Sequence, residues 1–329
     1  MRKLNWFAAA HALLMSVLPA LILGFSDSAI AQFWSEYWQQ YSHRKTNYSD
    51  VIPEKRQNFS ILISTLRVGY RLNLHKADSA NAWRYGLDGF LRFENVHDFL
   101  NSRRFHDNIY SNNYKLGGGL KLHLQREWKT RHWLQYLQMD LFTDWQNMET
   151  FVDRVRYWFD FIEQSNWRVG INAWANSGKL RPIRQETYFD LSYHSTNFSD
   201  PGKNPYLILT LSPRVYYHGG LVDIYLNEEL VKDFLNEGNW NRNPFSNNLK
   251  TIVGLRLVFP FGKNIHNKWD QLFGHASLLL FTEYSRIHFL DDVHEWPFQT
   301  ELANHDYRFG FIFWWPLGEA RYRPIGQSY

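Results

Sequence analysis

The chain has 329 residues; 15 Trp, 19 Tyr and 25 Phe give an aromatic share of 18%, and 36 Lys/Arg against 32 Asp/Glu leave a net charge of +4. So many aromatics exclude a disordered chain. The 19 glycines and 11 prolines exclude collagen and Pro/Gly low complexity. The absence of cysteine excludes a disulfide scaffold, Cys-ligated zinc, an iron–sulfur cluster and a thiol nucleophile, and the near balance of charge gives no footing for nucleic-acid binding.

Residues 1–31 differ from the rest. Arg2 and Lys3 precede a mostly apolar stretch from Phe7 to Phe25, which ends in the small-x-small pattern Ala29-Ile30-Ala31. This predicts a signal peptide, with an uncleaved anchor as the competing reading. An exported chain without cysteine fits a bacterial envelope.

Residues 32–57 read as an N-terminal extension. Phe33, Trp34, Tyr37 and Trp38 fall on one helical face, which predicts a short amphipathic helix able to plug or gate a pore built from the remainder of the chain. A basic loop around His43–Lys45 comes next.

From Asn58 onward the dominant period is two. In Leu66–Leu74, Leu66, Val68, Tyr70, Leu72 and Leu74 face one way, and Arg67, Gly69, Arg71 and Asn73 face the other. The pattern recurs in Trp83–Glu94, Tyr114–His123, Leu137–Asp144, Arg154–Phe161, Trp167–Ala173, Thr187–His194, Leu207–His218, Val222–Asn227, Leu249–Phe259, Leu278–Ser285 and Tyr307–Phe313. These make about twelve strands, with ten to fourteen open. Most approach the ~9–11 residues of a tilted transmembrane strand, and an even count suits a bacterial outer-membrane barrel. The expected fold is therefore all-β: an antiparallel transmembrane β-barrel over 58–315, with 316–329 as a tail or last strand. No composition shift divides the chain into two domains.

The apolar face carries few charges and places Trp83, Trp145, Trp167, Tyr193, Tyr217, Tyr284 and Trp315 near segment ends, as interfacial girdles do. In lipid such a sheet has to close. A soluble sandwich binding sugar on exposed aromatics is the competing reading of the same alternation.

The polar face is the candidate lumen. Its cations are Arg67, Arg71, Arg84, Arg92, Lys115, Lys121, Arg154, Arg156, Arg168, Arg214, Lys250, Arg256 and Arg308. Asp88, Glu94, Asp140, Asp144, Asp160, Glu186, Asp190, Asp223, Glu229 and Glu283 are the carboxylates on that side. One reading is an Arg-lined path for acidic sugars. The other is a set of cross-lumen ion pairs that neutralise one another and fill the barrel, and the near balance favours it.

Catalysis finds little support. In Tyr193-His194-Ser195-Thr196-Asn197 the adjacent His194 and Ser195 point to opposite faces of a strand and cannot act as base and nucleophile. Outer-membrane phospholipases and lipid A deacylases carry a His-x-Ser pair; here Thr196 stands in the serine's place, and Ile208 where their third member is expected. The groups His97, Asp98, His106, Asp107 and His288, Asp291, Asp292, His294 lack metal-ligand spacing and read as loop residues. Gly117-Gly118-Gly119 lies inside a strand, which points to close packing or a bend. No cofactor and no metal are expected.

The whole pattern resembles Gram-negative outer-membrane barrels. The stretches Glu283-Tyr284-Ser285-Arg286, Asp306-Tyr307-Arg308-Phe309-Gly310, Trp314-Trp315 and Arg321-Tyr322-Arg323-Pro324 are similar to the C-terminal barrel of bacteriophage adsorption protein A. That resemblance implies a link to exopolysaccharide export. The chain departs from the family in having no repeat region before the barrel and in a Pro-containing tail ending at Tyr329. The expected function is a conduit or secretion partner for an envelope polysaccharide, with outer-membrane lipid, the polysaccharide and periplasmic secretion components as partners and nucleic acid excluded. A structural or receptor barrel with a closed lumen is the alternative, and a lipid hydrolase stands behind both.

Overall fold

Alternation of this kind leaves each strand with one face to bury and one to solvate, and pairing every backbone group without an edge requires closure. A computed structural model describes residues 31–46, 57–75, 82–100, 112–128, 134–150, 164–177, 182–196, 204–235, 247–260, 276–290 and 305–317. They form strands β1 (Ala31–Thr46), β2 (Gln57–His75), β3 (Arg84–Asp98), β4 (Asn113–Glu127), β5 (Tyr136–Thr150) and β6 (Gln164–Asn176). The second half supplies β7 (Ile183–Thr196), β8 (Asn204–Gly219), β9 (Val222–Asp233), β10 (Asn248–Pro260), β11 (Ser277–Phe289) and β12 (His305–Leu317). Each strand pairs antiparallel with the next, and β1 pairs with β12 to close the barrel.

The expected strand number holds, but its composition is corrected at two places. The stretch Phe33–Trp38 is not a helix, and His43–Lys45 is not a loop. Both belong to β1, which pairs with β2 and with β12, so the barrel starts before Asn58 and runs to Leu317. Lumen-facing Trp34 and Trp38 interleave with outward Phe33 and Tyr37, which erases the period-two signal and imitates a helical stripe. The segment Arg154–Phe161 lies outside the described residues, and β5 pairs directly with β6. Residues 1–30 and 318–329, with the expected signal peptide and tail, also lie outside the described residues.

The connections differ at the two ends. Between the strand bounds, one end carries connections of 10, 14, 13, 7, 14 and 15 residues; the end holding both termini of the sheet, the start of β1 and the end of β12, carries 8, 8, 6, 2 and 16. Outward aromatics gather at both ends. Trp145, Trp167, Tyr193, Tyr284 and Tyr307 lie near the first, and Trp83, Tyr85, Tyr217 and Trp315 near the second. Trp167, Tyr217 and Tyr307 are more than half exposed on the outer face. Leucines and valines fill the band between the girdles.

The barrel is also a twofold repeat of six strands. Asp98-Phe99-Leu100-Asn101 at the end of β3 returns as Asp233-Phe234-Leu235-Asn236 at the end of β9. Ser111-Asn112-Asn113 before β4 returns as Ser246-Asn247-Asn248 before β10. Leu141-Phe142-Thr143-Asp144-Trp145 in β5 matches Leu280-Phe281-Thr282-Glu283-Tyr284 in β11. The registers agree as well: Asp88↔Lys121, Glu94↔Lys115 and Phe90↔Gly119 have counterparts in Asp223↔Arg256, Glu229↔Lys250 and Tyr225↔Gly254. Gly170↔Ser192 likewise matches Gly310↔Ser42.

Two clasps mark the repeat at the rim. Asp98 Oδ1 accepts from the backbone N–H of Ser60 and of Leu100, each at 3.1 Å, and the Asp98 N–H donates to Asn112 Oδ1 at 3.0 Å. In the other half Asp233 Oδ1 accepts from Leu207 and Leu235 at 3.3 and 3.0 Å, and its N–H donates to Asn247 Oδ1 at 2.9 Å. Asn112 and Asn247 have φ of 60° and 58°, a left-handed conformation that asparagine tolerates best among residues with a side chain.

Candidate functional site

The ladders place all the described cations and carboxylates of the predicted polar face on the lumen side. Arg154, Arg156 and Asp160 lie outside the described residues. The remaining charges are organised around the wall. Arg71 forks onto Asp88 at 2.7 and 2.8 Å, and Arg168 onto Asp144 at 2.8 and 2.5 Å. Glu94 takes Lys115 at 2.7 Å and Arg92 at 3.3 Å; Lys121 stands 3.6 Å from Asp140. In the second half Asp223 takes Arg256 at 2.8 Å and His218 at 2.5 Å, Glu229 faces Lys250 at 3.9 Å, and Glu283 pairs with Arg308 while accepting from Tyr225. Arg84 is exposed at the start of β3.

Each of these pairs joins a strand to itself or to its neighbour. These ion pairs lie along the wall, within a strand or between neighbouring strands. Residues opposite one another in a ladder bring their Cβ atoms to about 5 Å, so a guanidinium reaches the adjacent strand's carboxylate without leaving the wall.

Aromatics share this inner face. Phe90 lies between Gly69 and Gly119, Phe142 beside Gly170, Tyr225 beside Gly254 and Phe281 beside Gly310. A Cβ on Gly69 would sit 2.5 Å from the Trp34 ring, so glycine lets that ring lie flat. Arginines then cover the rings: Arg67 over Phe90 at 5.3 Å, Arg168 over Phe142 at 5.3 Å, Arg214 over Tyr225 at 5.2 Å and Arg256 over Tyr216 at 5.0 Å. Such contacts contribute from ~0.5 to 2 kcal/mol as the cation loses water. Gly119, in the triple-glycine run, would put a Cβ 2.7 Å from the Asp144 Cβ, which is the close packing expected of that run.

Several lumen residues are not evident from the sequence pattern. Glu36 and Arg44 belong to β1, whose pattern is that of an extension; Arg44 binds Asp306 at 2.7 Å. Arg184 lies near the start of β7; further along that strand Ser192 donates to Oδ1 of the expected lumen residue Asp190 at 2.7 Å and lies 3.0 Å from His194 Nε2. Thus His194 does share a face with a serine, two residues upstream instead of downstream. Strand parity extended from His194 in both directions reaches it. Tyr188 also donates to Asp190, at 3.2 Å. The Ser192 hydroxyl has one proton, and its shorter contact is to the carboxylate, so His194 meets the oxygen's lone pair. Ser192 is 1% exposed.

Of the two His/Asp groups that read as loop residues, Asp98 is committed to its rim clasp, and His97 packs edge-on against Phe99 at 4.6 Å. His106, Asp107, Asp291, Asp292 and His294 lie outside the described residues.

No protein-family model and no curated protein matches the sequence. Among solved structures, the β domain of the Bordetella autotransporter BrkA is similar at 11% identity and a TM-score of 0.41, covering 87% of this chain and 98% of its own. The transport unit of the Escherichia coli autotransporter AIDA-I is similar at 9% identity and 0.36, with 93% and 97% covered. OmpT, an outer membrane protein of Vibrio cholerae, is similar at 10% identity and 0.35, with 88% and 100% covered.

Proposed function

We propose that the protein is an integral outer-membrane barrel that serves as a conduit for a saccharide. Membrane residence follows from closure: an edgeless sheet with an apolar outer band and two aromatic girdles is suited to lipid. On β12, Tyr307 and Trp315 are eight residues apart, about 26 Å along a strand and roughly 20 Å along the axis at the usual tilt. The end with longer connections is assigned to the outside and the end with both termini to the periplasm, as in bacterial barrels.

The observation that carries the conduit reading is the direction of the ion pairs. Cations and carboxylates neutralise each other along the wall, so they leave no strong anion-selective field. Arg67, Arg214, Arg256, Phe90 and Tyr225 form a buried mid-barrel belt, which we assign as the constriction. A locally neutral wall of amides, hydroxyls, ion pairs and rings suits a hydroxyl-rich solute better than a simple anion. The Asp190–Ser192–His194 network is read as structural, because its hydroxyl proton faces the carboxylate.

The test is planar-bilayer conductance of the whole chain, since removing residues 32–57 would take most of β1 with it. Single-channel current blocked by oligosaccharides supports the conduit. Absence of current from correctly folded protein refutes it and leaves a closed structural or receptor barrel.

A further inference from the structure

The two halves of the barrel agree in their pairing devices and diverge at one place. Near the end that holds the termini, a continuous inner row runs from His123 to Asp140 and Asn172 across β4, β5 and β6. The row at the equivalent place on β10, β11 and β12 is Val258, Leu279 and Ile312. One step closer to the rim, Gln125 corresponds to Pro260. Since the apolar version supports the same strands in the same register, strand pairing alone does not require the polar one, in which Asp140 also stands 3.6 Å from Lys121. Burying polar groups costs stability unless each finds a partner, so a polar row kept opposite an apolar one points to a ligand.

We propose that His123, Asp140 and Asn172, with Gln138 and Trp174 beside them, form a saccharide-binding site on one side of the lumen; this rests on the conduit reading and gives it a location. His123 is 3% exposed, and its buried Nδ1 has no hydrogen-bond partner among the described residues, lying 3.6 Å from Asp88 Oδ1. Asp140 is held by Gln138 Nε2 at 3.0 and 3.2 Å, and Gln138 Oε1 accepts from Tyr136 at 2.9 Å. This fixes a planar amide and a carboxylate side by side. Trp174 packs against Tyr136 with ring centroids 4.9 Å apart and stands directly opposite Gln138 in the ladder. Amides and a carboxylate bind paired hydroxyls, and an indole face accepts the C–H side of a sugar ring. The apolar row opposite leaves the site one-sided, so a chain sliding past is held by one edge and released easily.

The test transplants the second half's own residues into the first: His123→Val, Asp140→Leu and Asn172→Ile together, and Asn172→Ile alone as a variant that removes no ion pair. Calorimetric titration of the detergent-folded full chain with maltohexaose, chitohexaose and a galacturonate hexamer reads binding without requiring current. The expected result is binding of a neutral hexamer that weakens at least tenfold in the triple variant and severalfold in Asn172→Ile, with heat-modifiable gel migration unchanged. Equal binding by wild type and both variants overturns the site, as does a wild type that binds no neutral hexamer. If the triple variant loses heat-modifiability, Asn172→Ile alone decides. Binding that matches the prediction in a barrel that carries no current would retain the site and refute the conduit.

Discussion

Asp98 and Asp233 hold equivalent places in the two halves of the barrel, each fully buried at the rim and each clasping the start of a 14-residue connection through the same three kinds of hydrogen bond. Each carboxylate accepts from two backbone N–H groups, and replacing either residue by Ala takes that acceptor from both. The expected loss is ~1–3 kcal/mol per site, and because the two clasps lie in different halves without shared partners, the double variant is expected to show their sum. Urea unfolding in lipid vesicles measures both numbers; a strongly non-additive pair would mean that the halves do not behave as separate units.

Arg168 forks onto Asp144, and Arg308 pairs with Glu283, inside the barrel. Arg168→Met leaves the half-buried Asp144 without its cation, and a destabilisation of ~1–3 kcal/mol is expected. Adding Asp144→Asn to that variant should recover most of it, since no charge remains to be compensated. Heat-modifiable migration across a temperature series reads the order wild type, double variant, single variant.

Gly69 and Gly254 carry neighbouring rings on their bare backbone, Trp34 on the first and Tyr225 on the second. Gly69→Ala therefore forces the indole off the wall at ~1–3 kcal/mol. Combining it with Trp34→Leu should relieve part of that cost, whereas Gly89→Ala, whose Cβ would find only Leu120 at 3.6 Å, should cost less than Gly69→Ala. The comparison is a set of unfolding midpoints.

Ser192 and His194 are within hydrogen-bond reach, so hydrolysis can be tested directly. Neither Ser192→Ala nor His194→Ala is expected to change phospholipid or lipid A hydrolysis by the detergent-folded protein from its buffer background. An activity abolished by both substitutions would make the pair catalytic and overturn the structural reading.

Leu100 and Leu221 lie at opposite ends and are exposed to a similar degree, 54% and 55%. As the chain has no cysteine, Leu100→Cys and Leu221→Cys each supply one thiol. A membrane-impermeant maleimide applied to intact cells is expected to label the first and spare the second. The reverse result inverts the barrel.

Strand parity makes most of the fold legible, because a strand with one face in lipid and one in a polar lumen writes its two environments in alternation. That ground alone assigns the described lumen charges to their face. Parity fails at β1, where Trp34 and Trp38 put aromatics on the inner face as well as the outer. The repeat is present in plain sequence, in Leu141–Trp145 against Leu280–Tyr284, but intervening segments of unequal length separate its pieces and hide a single fixed period.

By itself the sequence determined that the chain is all-β, that it has two chemically opposed faces and that its charges are balanced, because these depend only on composition and on which residues are odd or even along a strand. Partnership was decided by the tertiary structure. Which carboxylate meets which arginine depends on register and closure, and a shift of two residues preserves every face while changing every pair. Closure is what turned a set of cations and carboxylates into pairs lying flat on the wall. It also set His123, Asp140 and Asn172 in one row, against the apolar row that the other half carries in their place.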